Sequence, residues 1–139
     1  MKFGIFTDVH GNLEAFEAVV RLLRDRGATG FICCGDIVGY GPDPNLCVEI
    51  VRRMHCTCVA GNHDYGAVGK VPIDRFNSTA AQALLWTRSR LTESNRLYLD
   101  SLPLTAEEGP LLIVHSSPSA PDAWEYVLNA REAAAEMEH

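Results

Sequence analysis

Three polar clusters stand out in the first half of the 139-residue sequence: Asp8-Val9-His10-Gly11-Asn12, Gly35-Asp36 and Gly61-Asn62-His63-Asp64. A fourth polar position, His115, follows the apolar run Leu111-Leu112-Ile113-Val114. Taken singly, each is ordinary, because Asp and Asn favour turns and caps, where their short side chains bond nearby backbone. Taken together, they offer two carboxylates, two imidazoles and an amide. Oxygen and nitrogen donors without thiolate suit Mn, Fe, Ni, Co or Zn, and the lack of thiolate disfavours a structural zinc site. Asp8 and His10 can both turn inward where a strand opens into a loop. Asp36 can bridge two ions, with Asn62 and His115 serving the second. Asp8 and Asp36 brought together without a cation would repel; a metal resolves that conflict. Two divalent cations about 3.5–4 Å apart activate water near neutral pH and neutralise phosphoryl charge. His63 is then left as a free imidazole, either a general acid for the leaving alkoxide or a stabiliser of charge on phosphorus. Asp64 orients His63 or holds the turn, and the turn role is favoured.

These residues act together only if the chain converges them, and the hydrophobic pattern predicts that it does. Lys2–Thr7 is a buried strand ending at Asp8. Leu13 to Arg26 carries Leu13, Phe16, Val19, Val20 and Leu23 at helical spacing, and Gly27 closes it. A strand Gly30–Cys34, a helix Leu46–His55 and a strand Cys56–Ala60 follow. This β-α-β-α-β order predicts an α/β fold with a parallel sheet, whose strands end on one edge, where ligands gather. Further on, the pattern predicts helices from Asn77 or Ser78 to Arg90 and from Glu93 to Ser101. A strand Leu111–Val114, a loop and a last helix from Asp122 to Glu138 complete a single domain, 1–139.

The balance of 12 Lys and Arg against 18 Asp and Glu leaves a formal charge of −6, which argues against general nucleic-acid binding. No apolar run is long enough to span a membrane, and Met1-Lys2 opens no signal peptide. The five cysteines, at 33, 34, 47, 56 and 58, are odd in number and poorly spaced for disulfides. Reduced, buried thiols and a cytoplasmic location are expected.

The three clusters, in this order, resemble the calcineurin-like metallophosphoesterase family. Gly35-Asp36-Ile37-Val38-Gly39-Tyr40-Gly41-Pro42-Asp43-Pro44-Asn45, the Trp86 helix and Trp124-Glu125-Tyr126 resemble its compact prokaryotic branch. The resemblance implies an α/β/β/α sandwich and a dinuclear centre that hydrolyses phosphomonoesters, phosphodiesters or nucleotide-type substrates. Asp8 and His10 would hold one metal, Asp36 would bridge, and Asn62 and His115 would hold the other, manganese being favoured. His63 would be catalytic, and Asn12, Asn62 and His63 would contact a small phosphorylated substrate. The chain departs from the family at His115-Ser116-Ser117-Pro118, where His-Gly-Ser-Pro is usual, and it lacks the later Gly-His-x-His motif. His139 is a poor substitute for that motif. Glu132, Glu136 and Glu138 crowd the expected end of the last helix, where the helix dipole favours cations. The expectation is therefore a shortened chain with an incomplete second sheet, open to self-association. The alternative function is a non-catalytic binding or scaffold module on the same fold. A receiver-like phosphoacceptor role for Asp36 would explain neither Gly61-Asn62-His63-Asp64 nor His115.

Overall fold

Alternation along the first strand sets the two faces of the main sheet. In the computed structural model, which describes residues 1–138, β1 (Phe3–Phe6) buries Gly4 and Phe6 on one face and leaves Ile5 exposed on the other. β1 pairs in parallel with β2 (Gly30–Cys33), and β2 with β3 (Thr57–Cys58), giving the order β1-β2-β3. The connecting helices α1 (Leu13–Asp25) and α2 (Pro44–Met54) lie against one face. There Phe16 and Val20 of α1 and Val48 and Val51 of α2 join Phe6, Cys33 and Cys58 in the main core. The short α3 (Asn62–Val68), α4 (Ser78–Arg90) and α5 (Glu93–Ser101) extend that layer, with Leu84 and Leu99 fully buried.

The helices start where capping side chains stand. Asn12, Asn77 and Thr92 accept from the backbone N–H groups of Ala15, Ala80 and Asn95 at 3.1, 2.9 and 3.3 Å. Gly27, at φ 81°, supplies the left-handed residue beyond α1.

The other face of the main sheet carries the second layer. β4 (Thr105–Glu108) and β5 (Leu111–Val114) form an antiparallel pair in which Ala106 faces Ile113. Ile113 packs with Ile32 and Val59, and Phe3, Cys34 and Ala106 pack against that cluster. The Thr57 hydroxyl also donates to Glu108 Oε2 at 2.6 Å. Leu111 and Leu112 remain exposed on β5.

Four elements differ from expectation. The strand Cys56–Ala60 contracts to Thr57–Cys58, because Ala60 N–H turns to the carbonyl of Pro103 at 2.8 Å. β4 is unforeseen, since Thr105-Ala106-Glu107-Glu108 has no apolar alternation; it forms by pairing with β5. α3 is unforeseen too, with Gly66 inside seven residues; Asp64 Oδ2 accepts from Gly61 N–H at 3.0 Å and closes its first turn. The last helix, α6, covers only Ala130–Glu136. Asn129 Oδ1 accepts from Arg131 and Glu132 N–H at 3.1 and 3.0 Å, and Glu132 accepts from Leu128 N–H at 2.8 Å. Glu132 thus sits in the first turn, where the dipole favours an acid, rather than in the last.

All five cysteines are free. Burial pushes the thiols of Cys47 and Cys56 up to about 12, which leaves them unreactive. His139 lies outside the described residues. No described helix is long and apolar enough to cross a membrane.

Ile113 is the side chain that joins the two sheets. Ile113→Ala is expected to cost about 2–5 kcal/mol in urea unfolding, with faster amide exchange concentrated in β4 and β5.

Candidate metal centre

Beyond the ends of β1 and β2 the backbones stay hydrogen-bonded. Asp8, His10 and Gly11 N–H donate to the carbonyls of Gly35, Asp36 and Ile37 at 3.1, 2.9 and 2.9 Å. This ladder holds two polar loops side by side. Asp8, His10 and Asp36 have φ of 55°, 49° and 55°, left-handed values that are unfavourable for residues with a Cβ. Three strained residues in one ladder are what a site that must aim side chains requires.

The side chains converge as follows. His10 Nε2 lies 3.5 Å from Asp8 Oδ1 and 3.6 Å from Asp36 Oδ2. His115 Nε2, delivered by β5, lies 3.6 Å from the same Asp36 oxygen. The opposite ring nitrogens face backbone carbonyls: His10 Nδ1 meets Val38 O at 3.1 Å and His115 Nδ1 meets Cys34 O at 2.7 Å. A carbonyl only accepts, so both Nδ1 atoms carry a proton, and each ring in its neutral form presents its Nε2 lone pair toward Asp36. That second contact is the usual way a ligating His is oriented. Ligand atoms of Asp8, Asp36 and His115 lie within 4.8 Å of one another, as do those of His10, Asp36 and His63.

Two glycines make room. A Cβ on Gly61 would stand 2.0 Å from Asp36 Oδ1, and one on Gly39 would stand 2.7 Å from Nδ1 of both His10 and His63. Asp64 is fully buried beneath the site and accepts from Ile37, Val38 and Gly61 N–H at 2.9, 3.1 and 3.0 Å. It holds the turn, joining the Asp36 loop to the start of α3. The His63 N–H donates to Asp36 Oδ1 at 2.9 Å, and His63 Nδ1 is buried without a hydrogen-bond partner.

The electrostatics are those of a site that needs cations. In its protonated form His10 donates from Nε2 to Asp8, which holds Asp8 at about 2, well below the usual carboxylate range. Burial opposes charge on His10, but Asp8 and Asp36 outweigh it and raise its pKa. Burial raises Asp36 against the pull of His115 and His10. Burial, aided by Asp36, pushes Asp64 up to about 7. Burial, with His10 and His115 nearby, holds His63 at about 4 and hence neutral at physiological pH. A buried carboxylate flanked by another and by imidazole lone pairs is a donor set that a divalent cation fits.

Asp8, His10, Asp36, Asn62, His63 and His115 all line one cavity of about 170 Å³. Asn12 is not among its lining residues; its carboxamide caps α1. The cavity is also lined by Tyr40, Ser116 and residues 124–126.

The model of the calcineurin-like phosphoesterase family matches residues 1–133. The chain belongs to this family. It is 45% identical over 127 residues to an uncharacterized protein of Methanocaldococcus jannaschii, covering 88% of this chain and 52% of that protein. The crystal structure of a metallophosphoesterase from Sphaerobacter thermophilus superposes with a TM-score of 0.82 at 44% identity, over 99% of this chain and 56% of that one. A hypothetical protein from Pyrococcus horikoshii OT3 shares the fold, with a TM-score of 0.76 at 22% identity, over 96% of this chain and 63% of the other. The chain therefore spans about half the length of the curated relative it matches. Its fold is the metallophosphoesterase fold, and the second sheet has two strands among the described residues.

Within this family fold, sequence reasoning missed that Trp124-Glu125-Tyr126 lines the cavity, because it extended the last helix through these residues. The signal was present: Asn129 followed by Glu132 three residues later marks a helix start.

Two substitutions separate positioning from capping. Gly61→Ala is expected to displace Asp36 and to lower manganese affinity at least about tenfold by calorimetry, as disturbing a ligand's support does. Asn12→Ala is expected to cost about 0.5–2 kcal/mol of stability with manganese affinity unchanged.

Proposed function

We propose that the chain hydrolyses phosphoester bonds with two divalent cations, Asp8, His10 and Asp36 holding one and Asp36, Asn62 and His115 the other. The observation that carries this reading is the placement of Asp36 Oδ2 at 3.6 Å from Nε2 of both His10 and His115, each ring oriented through Nδ1 by a backbone carbonyl. Among the metals this donor set suits, manganese is favoured. When bound, such cations lower the pKa of water and offset negative charge on the phosphoryl oxygens.

The remaining work falls to the chain itself. The Asp36 carboxylate, fixed at Oδ1 by the His63 N–H, keeps its second oxygen turned to the cavity. The carboxamide of Asn62 makes no hydrogen bond among the described residues and lines the same cavity, where it reaches either a cation or a phosphoryl oxygen. His63, kept neutral by burial and its two His neighbours, acts as a ring N–H donor to the leaving oxygen. An arriving phosphate anion strengthens that donation, since nearby negative charge raises an imidazole pKa. The substrate is a small phosphorylated compound.

The test is hydrolysis of p-nitrophenyl phosphate and bis(p-nitrophenyl) phosphate with added manganese, beside metal analysis of the purified chain. Manganese-dependent turnover is expected, lost in Asp36→Asn together with metal binding. His63→Ala is expected to lower kcat by about 10²–10⁴ while manganese still binds. A metal-free chain without turnover on either ester would overturn the reading in favour of a binding module.

A further inference from the structure

A second cavity, of about 240 Å³, adjoins the metal centre, and Tyr40, His63, Trp124 and Tyr126 line both. Five of its lining residues are aromatic: Tyr40, His63, Phe76, Trp124 and Tyr126. Phe76, which lines only the second cavity, stands with its ring centroid 5.2 Å from that of His63, and Tyr40 stands 4.9 Å from His63 on another side. Tyr126 is 81% exposed, and the Trp124 ring stands edge-on to His115 with centroids 6.2 Å apart, so residues 124–126 carry aromatic rings beside both cavities.

The two cavities differ in charge. Asp8, Asp36 and Glu125 line the first cavity, whereas Arg75 lines the second and is the one Lys or Arg among the described residues lining either. Arg75 is exposed, and its guanidinium has no hydrogen-bond or ion-pair partner among the described residues. Asn77, the N-cap of the 13-residue α4, lines the same cavity, so the positive end of that helix adds to the guanidinium. A cavity lined by aromatic rings and a free guanidinium recognises a ring by stacking and an anion by charge-assisted hydrogen bonds.

His63 fixes which part of a substrate enters. It lines both cavities, and the leaving oxygen it serves must carry its substituent away from phosphorus and the metal ligands. We propose that the second cavity is the leaving-group site, and that the phosphoester cleaved carries on its leaving oxygen a flat aromatic ring bearing a further negative charge. Water adds to phosphorus, the bond from phosphorus to the ring-bearing oxygen breaks, and that oxygen departs with a proton as an alcohol or phenol. This inference rests on the phosphoesterase reading and adds a substrate class to it.

The test compares ethyl phosphate, phenyl phosphate and 3-carboxyphenyl phosphate as manganese-dependent substrates, read by phosphate release. Arg75→Ala is expected to lower kcat/KM for 3-carboxyphenyl phosphate at least about tenfold more than for ethyl phosphate, the range of a charge-assisted hydrogen bond. Tyr126→Ala is expected to lower both aryl esters about three- to tenfold more than ethyl phosphate, the range of an aromatic pair. Adenosine 3′,5′-bisphosphate, run beside the aryl ester, assigns the ring to a nucleoside if it is preferred and to a simple aryl acid if it is not. A readout independent of turnover uses Trp124, one of two tryptophans. In a Trp86→Phe background without metal, 3-hydroxybenzoate is expected to quench its fluorescence, and Arg75→Ala to abolish the quenching. Hydrolysis with equal losses on all esters and no quenching overturns the leaving-group site and leaves the phosphoesterase reading intact. Quenching without hydrolysis of any ester overturns the phosphoesterase reading and the leaving-group role with it, and retains a site for aromatic anions.

Discussion

The arrangement depends on one carboxylate that cannot rest comfortably without a partner. Asp36 is almost wholly buried, one oxygen taken by the His63 N–H and the other turned to two imidazole nitrogens. In the neutral form both rings have their proton on the far side, committed to backbone carbonyls. Lone pairs and carboxylate oxygens therefore converge, with Asp8 beside them. Such a cluster is unfavourable in isolation and favourable around positive charge, so the local electrostatics and the family's metal chemistry agree.

Holding that cluster requires stiffness in the backbone rather than in the side chains alone. The ladder continuing past β1 and β2 carries three left-handed non-glycine residues, each stored at a cost of about 1–3 kcal/mol. Asp64 offsets part of this by joining three backbone N–H groups from two segments in the protein interior. The glycines at 39 and 61 serve the same end by absence, letting backbone pass where a methyl group would collide with His10, His63 or Asp36.

Much of this was legible beforehand. The strand-ending clusters could be read because apolar runs, amphipathic helices and Gly-flanked acids obey short-range rules. The convergence of Asp8, His10, Asp36, Asn62 and His63 on one cavity followed from parallel strand order, whereas His115 reaches it from β5 of the separate antiparallel pair. What stayed hidden depends on pairing or on competition between local signals. β4 has no pattern of its own and exists because β5 lies beside it. α3 contains Gly66 and is started by a buried acid whose partners lie 26 and 27 residues away. Trp124 and Tyr126 fit a helical stripe equally well, and only the cap at Asn129 shows that the helix begins after them.

The placement of His115 has a mechanical meaning. Asp8, His10 and Asp36 follow strands of the main sheet, whereas His115 follows β5 of the other layer. The described residues join the two layers through a small apolar cluster around Ile32, Val59 and Ile113 and two side-chain hydrogen bonds, Thr57 to Glu108 and His115 to Cys34 O. An ion gripped from both sides acts as a rivet between plates that are otherwise lightly glued. Under the proposed metal binding, occupancy of the centre would govern how firmly the smaller plate is seated.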